Sequence, residues 1–129
     1  MVFKKLAKPT AMELEILRVL WDRGPSTVRE VTEVLSRSKP VGYTTVLKLL
    51  QIMTEKGSVL RNEEARAHVY EAQQPAATTK QQLVGDLLQR AFSGSASQLM
   101  LHALEGKKTS REEIEEIRRM LDEYEREAK

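Results

Sequence analysis

The chain has no cysteine among its 129 residues. Disulfides, a thiolate nucleophile and zinc or copper sites built on cysteine are thereby excluded. Histidine is nearly as scarce: His68 and His102 stand far apart in sequence, so no transition-metal centre is expected. Apolar runs are only a few residues long, too short for a membrane-spanning helix. The basic start MVFKKLAK leads into a helix cap without the apolar core of a secretion signal, so a cytoplasmic chain without a membrane partner is expected. A Gly-rich phosphate loop, a serine elbow and an HExxH helix are all missing. Carboxylates are plentiful, but Glu112, Glu113, Glu115 and Glu116 read as one solvated helix face rather than a converging pair. Neither histidine has an evident acid or base partner, with His68 expected on a strand and His102 near a helix interface. Catalysis and a cofactor are therefore not expected.

What is present describes a folded, helix-rich chain: 40% hydrophobic, 31% charged and 5% aromatic residues. Its length allows one domain or two small ones. The net charge of +2 is unevenly spread. Residues 1–61 carry eleven Lys/Arg against six Asp/Glu, a net of +5, and residues 62–129 carry ten against thirteen, a net of −3. The front half suits an anionic partner.

Thr10-Ala11-Met12-Glu13 is a capping box, each end of which satisfies an amide of the other, and it opens a helix. Leu14, Ile16, Leu17, Leu20 and Trp21 give that helix a broad apolar side, and Gly24-Pro25 ends it near Arg23. Thr27-Val28-Arg29-Glu30 repeats the box. Val28, Val31, Val34 and Leu35 carry a second helix to about Ser36, one that its β-branched residues weaken and packing must hold. After a turn containing Pro40, the stretch VGYTTVLKLLQIMTEKG forms a third helix, with Gly42 as its cap and Gly57 as its stop. The period then changes to two: residues 58–62 and 67–71 read as short strands of a hairpin joined by Glu63-Glu64-Ala65-Arg66.

On the third helix Val46, Leu49, Leu50 and Met53 share the core-facing side, leaving Thr44, Lys48, Gln51 and Glu55 outward with Thr45 and Leu47 on the flanks. Three helices and a hairpin in this order make a winged helix-turn-helix, whose bare helix face fits the DNA major groove. Lys48 suits a guanine or a phosphate, and Tyr43, Thr44, Thr45, Leu47 and Gln51 complete the candidate reading surface. Arg37 and Lys39 in the preceding turn, with Arg61 and Arg66 in or beside the hairpin, are candidate backbone contacts. Between residues 36 and 61 only Glu55 opposes these cations. Double-stranded DNA is the expected partner; a winged helix that grips protein instead is the rival, one without the steep salt dependence of a DNA reader.

QQPAATT, residues 73–79, is a polar joint, which divides a winged-helix domain over 1–74 from a helical region over 75–129. Three helices follow. Leu83, Val84, Leu87, Leu88 and Ala91 stripe the first, from about Thr79 to Phe92. Leu99, Met100 and Ala103 lead the second, to about Leu104. Ile114, Ile117, Leu121 and Tyr124 repeat along the third, which starts at Ser110 with Glu113 at the capping-box position. So few residues cannot bury all these stripes alone, and the simplest cover is a second copy: a two-fold dimer that matches a palindromic site. The fold expected is mainly α with a small β-hairpin.

The ordered set EILRVLW, STVREV, YTTVLKLLQIMTEKG, ARAHVYEA and SREEIEEIRRML resembles the penicillinase and methicillin-resistance repressor family over nearly the whole chain. The resemblance implies a homodimeric bacterial repressor, with an N-terminal winged helix and a C-terminal helical dimerisation region, on palindromic operators of antibiotic-resistance or related genes. It further implies a regulatory protease or sensor as partner, since such repressors are released by cleavage of an Asn-Phe bond under a β-lactam signal. The matching positions here are His102 and Ala103, a departure from that pattern. A copper-responsive branch of the family senses metal through C-terminal cysteines, which this chain lacks.

Overall fold

The computed structural model describes residues 8–64 and 66–128. The basic start up to Ala7, Ala65 of the hairpin turn and Lys129 lie outside the described residues. The chain forms two compact units that part between Leu83 and Val84.

In the first unit α1 (Ala11–Arg23), α2 (Val28–Leu35) and α3 (Tyr43–Lys56) surround one core with a small sheet. Both capping boxes are formed: Thr10 and Thr27 each accept from the amide three residues on, and Glu13 and Glu30 reach back to the cap amides. α3 ends on Gly57 in the left-handed region at φ 85°, where glycine escapes the Cβ clash that other residues meet. Ile16, Leu17 and Leu20 of α1, Val28 and Val31 of α2, and Val46, Leu50 and Met53 of α3 are buried together with Val59 and Tyr70. At 25–30 cal/mol per Å² of apolar surface removed from water, each such side chain contributes about 1.5–3 kcal/mol before chain entropy is set against it. Leu49 is only half-buried, at the edge of this core. Trp21 is half-buried as well, and its indole Nε1 donates to the Gln74 carbonyl at 2.9 Å. That bond ties the segment after the sheet back to α1.

The expected hairpin is the larger part of a three-stranded antiparallel sheet. β1 (Ser26–Thr27), β2 (Val59–Asn62) and β3 (Val69–Ala72) lie in the order β1-β3-β2, with Ser26 opposite Tyr70 and Arg61 also opposite Tyr70 on the other side. β3 starts two residues later than the alternation predicts, so His68 lies in the loop and not on a strand. Asn62 Oδ1 accepts from the Glu64 amide at 2.9 Å, an Asx turn that starts the loop and takes the chain out of pairing register.

α4 (Ala76–Phe92) begins three residues before the predicted Thr79, which is itself buried. It closes with Ser93 and Gly94 both at positive φ, and the Gly94 amide donates to the Leu88 carbonyl at 2.9 Å. α5 (Ala96–Glu105) is capped by Ser95 and α6 (Arg111–Glu127) by Ser110. At Ser110 only half of the expected box is made: the hydroxyl accepts from the Glu113 amide, while the Glu113 carboxylate lies 3.8 Å from Lys107 Nζ. No residue of α5 or α6 is buried. Their apolar side chains remain open, among them Met100, Leu101, Ile114, Leu121 and, at 74% exposure, Tyr124, and so does Leu87 of α4. Leu83, Leu88, Leu99 and Ile117 are half-buried. His102 and Ala103 are exposed on α5, with the His102 ring tilted against Phe92 at a centroid distance of 5.7 Å. Among the described residues no helix is long and apolar enough to cross a membrane, and no three His, Asp or Glu side chains converge as a metal site.

Candidate nucleic-acid interface

α3 carries the candidate site because its two sides differ completely. Val46, Leu50 and Met53 are fully buried, whereas Tyr43, Thr44, Thr45, Lys48, Gln51 and Glu55 are exposed. Leu47 lies between the two sides, half-buried against the core. The Gly42 cap offers no side-chain acceptor to the first turn, so the leading amides of α3 sit among exposed threonines. A ridge of hydroxyls, an amide and one ammonium is thus held rigidly by the packing behind it. Such a ridge can accept from and donate to base edges and can meet phosphates.

The wing positions two further candidates differently. Arg61 Nη2 lies 3.0 Å from Glu63 Oε1, which His68 Nε2 also approaches at 3.8 Å. Arg66 is exposed and has no ion-pair partner among the described residues. Tyr43 and Leu47 of α3 and Arg66 and His68 of the wing line a common groove of about 520 Å³. Its remaining wall is the start of α2, which brings in Arg29. Arg29 has no place among the candidates read from the sequence, because a lone cation in the first turn of a helix looks solvated. Its only signal is spatial, in a wing residue 37 positions away.

Arg37 does not share that groove. It lines another one, of about 410 Å³ between α1 and α2, together with Glu15, Arg18 and Asp22. Lys39 is exposed in the turn. The two cations before α3 thus do not gather at the groove formed by Tyr43, Leu47 and the wing.

Electrostatically the unit is pinned at two acids. Burial raises the Glu13 carboxyl, but the Thr10 amide and the Lys56 ammonium outweigh it and hold the group below the usual carboxylate value of 4.5. The Thr27 amide, then the Arg23 guanidinium, lower Glu30 in the same sense, and Arg23 also donates from Nε to Ser26 Oγ at 3.1 Å. Both acids serve structure: Glu13 takes up Lys56 at the end of α3 and Glu30 takes up Arg23, and neither pairs with Lys48, Arg29 or Arg66.

A family model described as penicillinase repressor matches residues 9–123. The chain is 34% identical over 123 residues to the transcriptional regulator BlaI of Mycobacterium tuberculosis, across 94% of this chain and 88% of that protein. It is 26% identical over 121 residues to the penicillinase repressor of Bacillus licheniformis, across 94% of each. The solution structure of the DNA binding domain of the repressor BlaI is similar at a TM-score of 0.51 and 25% identity, covering 58% of this chain and 92% of that one. On these grounds the chain belongs to the penicillinase repressor family.

Proposed function

We propose that this chain is a DNA-binding transcriptional repressor that occupies a palindromic operator as a homodimer in the cytoplasm, at genes of antibiotic resistance or a related function. The observation that carries the reading is the bare ridge of α3, with Thr44, Thr45, Lys48 and Gln51 exposed directly behind the buried Val46, Leu50 and Met53. Laid in the major groove, that ridge brings Lys48 to a guanine or phosphate and the threonine methyls and hydroxyls to thymine or phosphate. The names of the relatives support it: one is a penicillinase repressor, another a transcriptional regulator, and the similar solved structure is a DNA binding domain. None of these names describes an enzyme.

Repression on this reading is steric. Two copies joined through α4, α5 and α6 set two recognition helices about one DNA turn apart, roughly 34–36 Å, over a promoter. The open apolar side chains of α5 and α6 support that role, since a second copy covers surface that the chain leaves in water. Any signal that separates the copies releases the DNA, because each half-site alone is held without the help of a high effective concentration.

Gel-shift titration of Lys48→Ala and Thr44→Ala tests the assigned face. Each lost base contact weakens operator binding by about 1–3 kcal/mol while leaving thermal unfolding unchanged. Binding as tight as the parent's in both variants contradicts the assignment.

A further inference from the structure

We propose that the groove between the start of α2, the first turn of α3 and the wing seats a single phosphate of the DNA backbone, gripped by Arg29 from α2 and Arg66 from the wing. The inference rests on the DNA-binding reading and adds to it a residue and a contact that fix how α3 lies in its groove.

The lining of this groove is chemically one-sided. Arg29, Arg66, His68, Tyr43 and Thr27 bring donors to it, and no carboxylate lines it. The groove between α1 and α2, of similar size, mixes Arg18, Arg23 and Arg37 with Glu15 and Asp22 and so neutralises itself. The pairing of the arginines differs in the same way. Arg23 is held by Glu30 and Arg61 by Glu63, whereas the side chains of Arg29 and Arg66 make no hydrogen bond or ion pair with any described residue. Two unpaired guanidiniums flanking one acid-free groove are a forked donor set for an anion with several oxygens, the geometry in which arginine outperforms lysine.

The floor favours the same ligand. Val28 and Tyr70 are 6% and 1% exposed, and Leu47 is half-buried, so the groove is backed by packed apolar atoms and not by water. A charge pair against such a floor is screened less than one on an open surface. The end of α2 does not itself supply the anion site: Thr27 Oγ1 already accepts from the Glu30 amide at 3.2 Å, and Glu30 Oε1 accepts from the Thr27 amide at 2.9 Å. The grip therefore falls to side chains. Tyr43 and Leu47 on the groove wall belong to the same turns of α3 as Thr44 and Lys48. A phosphate seated there lies beside the strand that the ridge reads and sets its register. Contacts to the backbone position a protein in this way without selecting sequence.

The test uses the full chain and a duplex recovered by selection from a random pool, with each phosphate replaced in turn by an uncharged methylphosphonate. In the parent, one position per half-site weakens binding on the order of tenfold when neutralised. At that position Arg29→Ala and Arg66→Ala each lose the sensitivity, responding by about twofold or less, as two partners of one contact must in a double-mutant cycle. Arg29→Lys keeps part of it, and unfolding midpoints equal to the parent's show that the fold is intact. If Arg29→Ala keeps the parent's full sensitivity at every position, or if the two variants lose it at different phosphates, the shared grip is overturned while DNA binding stands. If the parent binds no duplex, the grip and the reading it rests on are overturned together.

Discussion

Both carboxylate oxygens of Glu13, at the start of α1, accept from the ammonium of Lys56, the last residue of α3, at 3.0 and 2.9 Å. The same carboxylate closes the capping box by accepting from the Thr10 amide at 2.9 Å. One acid thus fixes the first turn of α1 and clamps the far end of the recognition helix to it. Lys56 also sits in the last turn of α3, where a cation complements the helix dipole.

Glu13→Ala therefore removes a cap and a charge pair at once. The Glu13 side chain is only 4% exposed while that of Lys56 is 33% exposed, so the abandoned ammonium turns to water and escapes the full penalty of a buried unpaired charge. A loss of about 2 kcal/mol is expected, read as a lower urea midpoint at an unchanged slope. Glu13→Gln keeps an acceptor for the Thr10 amide and loses less. No loss in either variant contradicts the role assigned to the clamp.

The same group makes stability depend on pH. Its carboxyl is lowered below 4.5 in the folded chain, so its contribution is fully present above that value and is lost as pH falls through the folded value. The stability gap between the parent and Glu13→Gln stays constant from neutral pH down to about 5 and closes in more acidic solution. A gap that widens on acidification contradicts the sign.

The open face of α6 makes a prediction about assembly. Leu121 is 59% exposed and Tyr124 74% exposed, and a charge placed there costs a monomer little. Leu121→Asp is expected to leave helix content unchanged, to shift the sedimenting species from dimer to monomer and to weaken operator binding roughly 10²–10⁴-fold through lost effective concentration. A Leu121→Asp chain that sediments with the parent contradicts the dimerisation role of this face.

Much of the fold was legible because its signals are local. Thr10 with Glu13 and Thr27 with Glu30 mark two helix starts within four residues each, and Gly24 and Gly57 mark two ends. The three-and-four spacing of Val46, Leu50 and Met53 divided α3 into a buried and a bare side, as observed. What escaped depends on residues distant in sequence. Ser26–Thr27 is a strand only because Tyr70 and Val69 stand beside it, and two residues carry no period. Lys56 reaches Glu13 across 43 positions, and Arg29 joins Arg66 only after the wing folds over the start of α2. The apolar stripes of α5 and α6 were readable as stripes, but what covers them is not encoded in their spacing.

Selection of bound duplexes from a random pool by the full chain tests the central claim most directly. Recovery of an inverted repeat with half-sites about one helical turn apart, roughly 10 base pairs, is the result predicted. Lys48→Ala should recover a repeat relaxed at one position of each half-site. A pool that stays random after repeated rounds, or a single asymmetric site, contradicts the account.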